Sequence, residues 1–457
     1  MSNVTMDKIV NLCKQRGIIF QGSEIYGGMG NTWDYGPVGV EIKNNIKRAW
    51  WKRFVQEDPN TYGVDAAILM NPRVWDASGH TQNFADPKMD CKSCKQRFRA
   101  DNLIEDHSKG TVSAEAMTNE QMEEYINEHK VKCPHCGNFS WTNIRQFKLM
   151  FETSRGTLDG EKDVVYLRPE TCQGEYVNFL NVQRSMRAKV PFAIAQIGKS
   201  FRNEITPGNF IFRTIEFEQM ELQMFCKEGD GFNIYDNYKE RARQFLIDLN
   251  FSPDHLKYHD HDKLAFYAKA ACDIFYLFPM GWSELNGIHH RSTHDLSRHQ
   301  EFSGKSMAYL DPVTNEKYIP TVIEYSIGAD RLMLAVLAEA YNEEKLENGE
   351  TRVVMKFHPA IAPYKVAVLP LQKNINEKAI ELYQKLCKKF PCIYDEAGSI
   401  GKRYRRQDEI GVPFSVTIDF DTLEDGTVTI RDRDTMEQIR MPMDEIEKYI
   451  EERIQFN

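Results

Sequence analysis

Apolar positions first set a clear rhythm between Val38 and Phe54, where Ile42, Ile46, Ala49, Trp50 and Phe54 recur at helical spacing opposite Lys43, Lys47, Arg48 and Lys52. The pattern predicts an amphipathic helix preceded by a Gly-rich loop. A strand-like run, Val64 to Met70, follows and ends in Asn71-Pro72-Arg73. Ala114 to Lys130 reads as a polar helical segment. Further on, Phe192 to Ile197, Phe212 to Leu222 and Thr321 to Ser326 read as strands, and Leu332 to Ala338 as an apolar helix. The stretch Ile205 to Phe210 carries Pro207-Gly208 and reads as a turn, so the run from Phe212 to Glu221 should return antiparallel to the strand before it. Arg202 and Glu204, two apart, would then share a face, because strand side chains alternate.

Glu339 to Arg352 is charged, lacks a large apolar cluster and reads as a linker. Beyond it come a short buried strand (Val366 to Leu369), a helix (Ile375 to Phe390), strands near Ile393 and at Phe414 to Ile418, and a final helix from about Asp444. This order predicts an α+β fold with a small mixed α/β domain at its end. Four regions are expected: 1–83, an insertion at 84–147, an antiparallel core at 148–340, and 353–457.

Composition adds constraints. With 457 residues, 41% hydrophobic and 27% charged, the chain belongs to the soluble globular class and has room for two or three domains. Met1 to Arg16 has no apolar core segment and no long uncharged apolar run follows, so neither a signal peptide nor a membrane span is expected. A net charge of -9 argues against nonspecific nucleic-acid binding and leaves local basic patches open.

Ten cysteines are present. Cys13, Cys172, Cys226, Cys272, Cys387 and Cys392 are scattered, as reduced thiols of a cytosolic protein would be. Cys91-x-x-Cys94 and Cys133-Pro134-His135-Cys136-Gly137 instead form two knuckles, with the four thiolates that a structural zinc takes. A fortuitous pair of CxxC motifs is the alternative. Seven of the twelve histidines fall between His255 and His299, including His289, His290 and His294. No helical i,i+4 pair with an acidic partner frames them, so they read as a His-rich polar loop rather than a metal site.

Phe201-Arg202-Asn203-Glu204, with Arg213-Thr214-Ile215-Glu216-Phe217-Glu218-Gln219-Met220-Glu221 after the turn, resembles motif 2 of class II aminoacyl-tRNA synthetases. Ile327-Gly328-Ala329-Asp330-Arg331 resembles motif 3. The helix–strand unit ending at Pro72 resembles motif 1, which builds the dimer interface in that family; an ordinary helix–strand unit reads the same way. The Trp50-Trp51 pair on an otherwise basic helix is read as exposed and points to a homodimer. Trp33-Asp34-Tyr35-Gly36-Pro37, Asn71 to His80, Phe98-Arg99-Ala100-Asp101, Leu167 to Gly174 and Ile323 to Gly328 extend the likeness to the homodimeric glycyl group over nearly the whole chain.

That resemblance implies a class II antiparallel sheet with a zinc-knuckle insertion, a C-terminal anticodon-binding domain, and a cytoplasmic homodimer. It implies ATP with Mg²⁺ as cofactor, and glycine and tRNA-Gly as partners. Joining a carboxylate to ATP brings two anions together, so cations are needed where phosphate charge develops. The family positions make Arg202, Glu204 and Arg331 the catalytic candidates. Nucleotide contacts are implied for Arg202, Asn203, Glu204, Phe212, Arg213, Thr214, Ile215, Glu216, Phe217, Glu284, Leu285, Gly328, Ala329, Asp330 and Arg331. Within that set Arg202 takes the α-phosphate, Arg331 and Phe217 sandwich the adenine, and Glu284 is a magnesium ligand.

Glycine offers only its ammonium and carboxylate. The resemblance implies contacts from Arg99, Glu170, Phe217, Glu218, Gln219, Met220, Glu221, Glu324, Tyr325, Ser326, Ile327 and Gly328, with Glu170, Glu221 and Glu324 around the ammonium and Ser326 crowding the α-carbon. Larger amino acids are then rejected by overfilling, so no editing domain is demanded. Gly401-Lys402-Arg403-Tyr404-Arg405-Arg406-Gln407 combines four cations with a stackable ring, suited to single-stranded RNA or simply a basic helix face. A sister class II synthetase and an inactive synthetase-like accessory protein are the alternatives. The second should have lost the motif arginines, which are all present.

Overall fold

The computed structural model describes all residues except 1–3, 113, 115–116, 157–162, 205–207, 263, 266 and 457. Its centre is a seven-stranded sheet. In chain order the strands are β1 (Thr61–Gly63), β2 (Phe192–Phe201), β3 (Glu216–Cys226), β4 (Leu256–Asp260), β5 (Ala270–Phe278), β6 (Gly281–Ser292) and β7 (Thr321–Gly328). Across the sheet they run β4-β5-β6-β7-β3-β2-β1. All neighbours pair antiparallel except β1, which lies parallel to β2.

Alternation explains the two faces. On β3, Met220, Leu222 and Met224 enter the main apolar core, while Gln219, Glu221 and Gln223 are buried on the opposite side. The apolar face is covered by helices α1 (Pro37–Trp51), α2 (Gly231–Asp248) and α3 (Ala329–Ala340). Proline opens α1 at its first turn, where its missing N–H costs nothing. Gly39 lets the helix press on the preceding strand, since a Cβ there would stand 1.9 Å from the Ile18 carbonyl oxygen. Trp50 and Phe54 pack on Tyr325 of β7 with ring centroids 6.3 and 4.8 Å away. Truncating Trp50 to Ala should cost about 3–5 kcal/mol.

Several expectations need correction. Trp50 is fully buried, so no exposed tryptophan pair marks a dimer surface. Lys43, expected on the polar side, is buried against Asp330 and Glu218. The strand expected at Val64 to Met70 is absent. Pairing with β2 ends at Val64, and the Ala66 carbonyl is taken instead by the Arg168 and Gln196 side chains. In the hairpin, residues 205–207 of the expected turn lie outside the described residues. The returning strand begins at Glu216 rather than Phe212, because Phe210–Phe212 forms a 3₁₀ turn that buries Ile211.

The insertion is a three-stranded sheet (Ala85–Asp90, Arg97–Arg99, Arg145–Lys148) with helices Ala100–Ser108 and Asn119–Glu128. The second helix is shorter than the polar pattern predicted, starting where Thr118 and Gln121 form a capping box. Met89, Leu103, Ile104, Met122, Ile126 and Trp141 give it a separate small core. The stretch read as a linker folds as an antiparallel hairpin, Tyr341–Lys345 with Thr351–Met355. Arg352 anchors it, fully buried, by donating from Nε to Asp408 at 2.8 Å and from Nη1 to Glu344 at 2.6 Å. After it comes a five-stranded mixed sheet, with Val366–Pro370 parallel to both Cys392–Tyr394 and Phe414–Ile418. Among the described residues, no helix is long and apolar enough to cross a membrane.

Candidate active site

The polar face of β3, β6 and β7 floors a cleft of about 670 Å³, walled by the insertion on one side and the β2–β3 turn on the other. The turn places the cations. Arg202 follows β2, its N–H donating to the Ile215 carbonyl at 2.9 Å. Asn31 braces the turn from outside, donating from Nδ2 to the Glu204 carbonyl at 3.2 Å and accepting from the Gly208 N–H at Oδ1 at 3.2 Å. Gly208 is required here, since its Cβ would stand 1.9 Å from the Arg213 carbonyl oxygen. Arg202 and Glu204 lie past the end of the strand, so alternation is not what unites them; the tight turn still sets both in the cleft wall. The Arg202 guanidinium lies 5.4 Å from both Phe84 and Phe217 and donates from Nε to the Pro169 carbonyl at 3.0 Å. Arg331 sits over Phe212 at 4.6 Å rather than over Phe217, and pairs with Glu284 at 2.8 Å.

Three carboxylates meet deeper in the cleft: Glu170, Glu221 and Glu324. Their surroundings differ, and so do their protonation tendencies. Glu221 has neutral donors only, the Thr171 hydroxyl, the Ser326 hydroxyl at 2.9 Å and the Gln219 amide at 2.9 Å. Burial, followed by repulsion from Glu324 and Glu170, pushes it up to about 7. Glu324 receives His289 Nδ1 at 2.8 Å, Arg291 Nη1 at 3.4 Å and Gln223 Nε2 at 3.1 Å. Against burial, Arg291 and His289 bring it down to about 2. Glu170 lies 3.4 Å from His80 and accepts from Gln173 at 3.0 Å; against burial, His80 and Arg291 hold it well below the usual carboxylate range. Of these three, Glu221 alone has no ion pair among the described residues. A small ammonium group is the natural complement.

Of the sequence-predicted residues, the cleft brings together Arg99, Glu170, Arg202, Glu204, Phe212, Arg213, Thr214, Phe217, Gln219, Glu221, Glu284, Leu285, Glu324, Ser326, Gly328, Asp330 and Arg331. It does not bring in Asn203, Ile215, Glu216, Glu218, Met220, Tyr325, Ile327 or Ala329. The reason is largely alternation: Glu216, Glu218 and Met220 point away from Phe217, Gln219 and Glu221. Glu218 is tied to Lys43 and Lys47, and Glu216 to Lys199. Met220, Tyr325, Ile327 and Ala329 are core residues.

Sequence reasoning missed His289, Arg291, Asp86 and His261, which also line the cleft. The stretch read as a His-rich loop is mostly regular structure: His259 lies on β4, His289 and His290 on β6, and His294 and His299 on the helix His294–Ser303. His290 is buried on the opposite face beside Phe232, and His299 is buried beside Gln173 at 2.9 Å. The signal was the period-two run Gly287, His289, Arg291, interleaved with the core residue Ile288.

In the insertion the Sγ atoms of Cys91, Cys94, Cys133 and Cys136 all lie within 4.8 Å of one another, with Cys91–Cys136 at 3.6 Å and Cys94–Cys133 at 3.7 Å. A tetrahedron of sulfurs at about 2.3 Å from zinc has edges of about 3.8 Å, so the four fit that ion; a disulfide requires about 2.05 Å. The Cys94 backbone N–H is the main influence lowering the Cys91 thiol, while against the Gln96 backbone N–H, burial and the hydrogen bonds to Cys91, Cys133 and Cys136 raise Cys94, as expected of thiols that share a proton.

The basic helix α4 (Ile400–Ile410) carries the run Gly401 to Gln407. Arg403 is buried and donates to the Pro370 and Gly398 carbonyls, the latter at 2.7 Å. Arg406 pairs with Asp395 at 2.7 Å, Arg405 with Glu350 at 2.9 Å, and the Tyr404 hydroxyl meets Thr417 at 2.6 Å. Internal partners thus hold three of the four cations and the ring, while Lys402 is exposed and Arg405 and Arg406 are half-exposed.

Known proteins agree with this geometry. Residues 149–340 match the family described as tRNA synthetase class II core domain (G, H, P, S and T), and residues 365–453 match the anticodon binding domain. A glycine–tRNA ligase of Caldanaerobacter subterraneus subsp. tengcongensis is 60% identical, covering 99% of each chain. The chain belongs to the glycine–tRNA ligase family. Other members include those of Clostridium beijerinckii, 58% identical over 99% of each chain, and Geobacillus kaustophilus, 57% identical over 99% of this chain and all of its relative. The family match spans both the sheet that floors the cleft and the five-stranded C-terminal sheet.

Proposed function

We propose that this chain attaches glycine to tRNA-Gly in two steps, using ATP with Mg²⁺. In the first, a glycine carboxylate oxygen attacks the α-phosphorus, the α–β phosphoanhydride bond breaks, and pyrophosphate leaves. In the second, a ribose hydroxyl at the tRNA 3′ end attacks the glycyl carbonyl carbon, and AMP leaves. Glu221 carries the reading: a buried carboxylate without a cation, beside two ionised ones, is suited to an ammonium with almost nothing attached. Ser326, bound to Glu221, leaves little room at the α-carbon. Arg202 is assigned to the α-phosphate, where charge grows in the transition state. Arg213 and Arg331 serve the outer phosphates and the adenine, with Phe212 and Phe217 as apolar surfaces. Glu284, exposed at the rim, suits the magnesium that accompanies ATP.

Cys91, Cys94, Cys133 and Cys136 would hold a zinc ion that supplies structural cross-linking alone, since four thiolates leave no open position. The assembly we propose is the homodimer implied by the motif 1 resemblance, in the cytoplasm; light scattering of the active enzyme tests the dimer. Glycine-dependent ATP–pyrophosphate exchange tests the chemistry. Arg202→Ala should lower its kcat by about 10²-fold or more, and Glu221→Ala should chiefly raise the glycine KM. Exchange that ran equally well without glycine, or with alanine in its place, would sink the assignment.

A further inference from the structure

Glu324 is the most heavily partnered carboxylate of the cleft, and one partner stands out. His289 Nδ1 lies 2.8 Å from Glu324 Oε1, while its Nε2 lies 3.8 Å from Asp273 Oδ1 on β5. Asp273 Oδ2 in turn meets His261 Nε2 at 2.7 Å. A line of polar contacts therefore runs along the cleft floor, from Arg291 through Glu324, His289 and Asp273 to His261. The ring of His289 has a place made for it. Gly287, two residues earlier on the same face of β6, would with a Cβ come within 3.0 Å of His289 Cε1, 3.1 Å of its Nε2 and 3.2 Å of Asp273 Oδ1. The strand gives up a side chain at 287 so that the imidazole can lie flat between two carboxylates.

We infer that His289, seated by Gly287 and held by Asp273, is a positioning residue that aims Glu324 at the glycine ammonium. The inference rests on the proposed role of Glu324. A carboxylate with two oxygens free to rotate would lose orientation on release of product. Arg291 alone does not fix it, because its contacts at 3.4 Å to both oxygens are long and its short bonds, 2.8 and 2.9 Å, go to Asp295. Gln223 Nε2 holds Oε2 at 3.1 Å, and His289 makes the short directed bond to Oε1. The two flanking acids, Asp273 and Glu324, also keep the ring protonated, raising it to about 9 against burial and Arg291.

Steady-state glycine-dependent pyrophosphate exchange in the full-length enzyme tests this. His289→Ala should raise the glycine KM about tenfold or more, as for loss of a hydrogen bond to a charged group, with kcat within about threefold and the ATP KM unchanged. His289→Asn keeps a donor where Nδ1 stands and should recover most of the affinity. The wild type should lose glycine affinity as pH rises through about 9, and His289→Asn should leave only the part of that loss due to deprotonation of the glycine ammonium itself. Gly287→Ala, which displaces the ring without removing it, should resemble His289→Ala. A purely structural role would instead lower the melting temperature, disturb the ATP KM as well, and gain nothing from Asn. A glycine KM within twofold of wild type for His289→Ala, or equal defects in the Ala and Asn variants, overturns the inference. Glu324→Gln separates the layers: if it leaves the glycine KM unchanged, the role of Glu324 itself fails; if it raises the KM while His289→Ala does not, only the inference about His289 fails.

Discussion

Lys43 Nζ lies 2.7 Å from Asp330 Oδ1, and this contact joins helix α1 to the strand–helix junction that carries Arg331. Asp330 spends its other contacts nearby: the Tyr35 hydroxyl donates to Oδ1 at 2.5 Å, and the Glu218 N–H donates to Oδ2 at 2.7 Å. One buried carboxylate thus locks the N-terminal segment, the helix α1, strand β3 and helix α3 together. Removing one partner of a buried pair leaves an uncompensated charge. Asp330→Asn should therefore destabilise the catalytic domain by about 2–4 kcal/mol, less than a fully isolated lysine would, because Glu218 still lies 2.8 Å from Lys43. Lys43→Met combined with Asp330→Asn should recover part of the loss. Chemical denaturation of the four forms checks this, and additive losses would show that the two residues do not act as a pair.

The pH response follows from the unequal carboxylates. Glycine binds as an ammonium, and Glu221 must be ionised to receive it. Glu221 is raised to about 7, so below that pH it holds a proton that binding must expel. The glycine KM should rise about tenfold per pH unit as pH falls below about 7 and level off above it. The stability effect has the opposite direction: a carboxylate with a raised folded pKa stabilises the fold at low pH, and that contribution is lost as pH climbs through about 7. Glu221→Gln should flatten the KM profile between about pH 5.5 and pH 7.5 while binding glycine more weakly throughout. A sloping profile retained in that variant would assign the proton to another group.

How much of this was legible before folding depends on the kind of signal. The strands β2, β3 and β7 announced themselves by alternation and by a turn, and their motif residues led directly to the cleft. The histidine strand β6 did not, because its core-facing positions include Asn286 and His290, which break the apolar alternation. Lys43 looked solvent-facing because a helix projection cannot see the acid that Asp330 and Glu218 supply from sequence positions far away. Trp50 failed for the same reason: a tryptophan beside lysines reads as exposed until Tyr325 is placed against it. Val64 to Met70 had strand-like composition, yet strands form only where a neighbour offers backbone partners, and here side chains capture the chain instead.

Metal removal should loosen the insertion without opening the main sheet. The insertion has a core of its own, but a small one, and besides the four sulfurs a few hydrogen bonds join its two knuckles, such as the Lys92 N–H to the Ser140 carbonyl at 2.8 Å. Purified protein kept reduced should carry about one zinc per chain. Cys91→Ser should release it and increase proteolysis within residues 84–147, whose wall includes Phe84, Asp86 and Arg99 of the cleft. Metal analysis showing no zinc in unchelated protein would leave packing as the sole support of this subdomain.

The basic helix α4 gives the last test, because its arginines are committed inside the fold. Arg403 lies buried and binds carbonyls at the end of one strand and in the loop before its own helix. Arg403→Ala should leave those carbonyls unpaired and destabilise the C-terminal domain by about 2–4 kcal/mol, visible as an early transition in a thermal melt. Arg405, at the surface, binds only Glu350 and the Thr351 carbonyl, so Arg405→Ala should cost under about 1 kcal/mol. Neither residue touches the cleft, so glycine-dependent pyrophosphate exchange at low temperature should match wild type in both. If Arg405→Ala weakened tRNA charging sharply with stability unchanged, the helix would contact RNA despite its internal ion pairs. If Arg403→Ala lowered exchange as much as Arg202→Ala, activation would not be confined to the catalytic sheet.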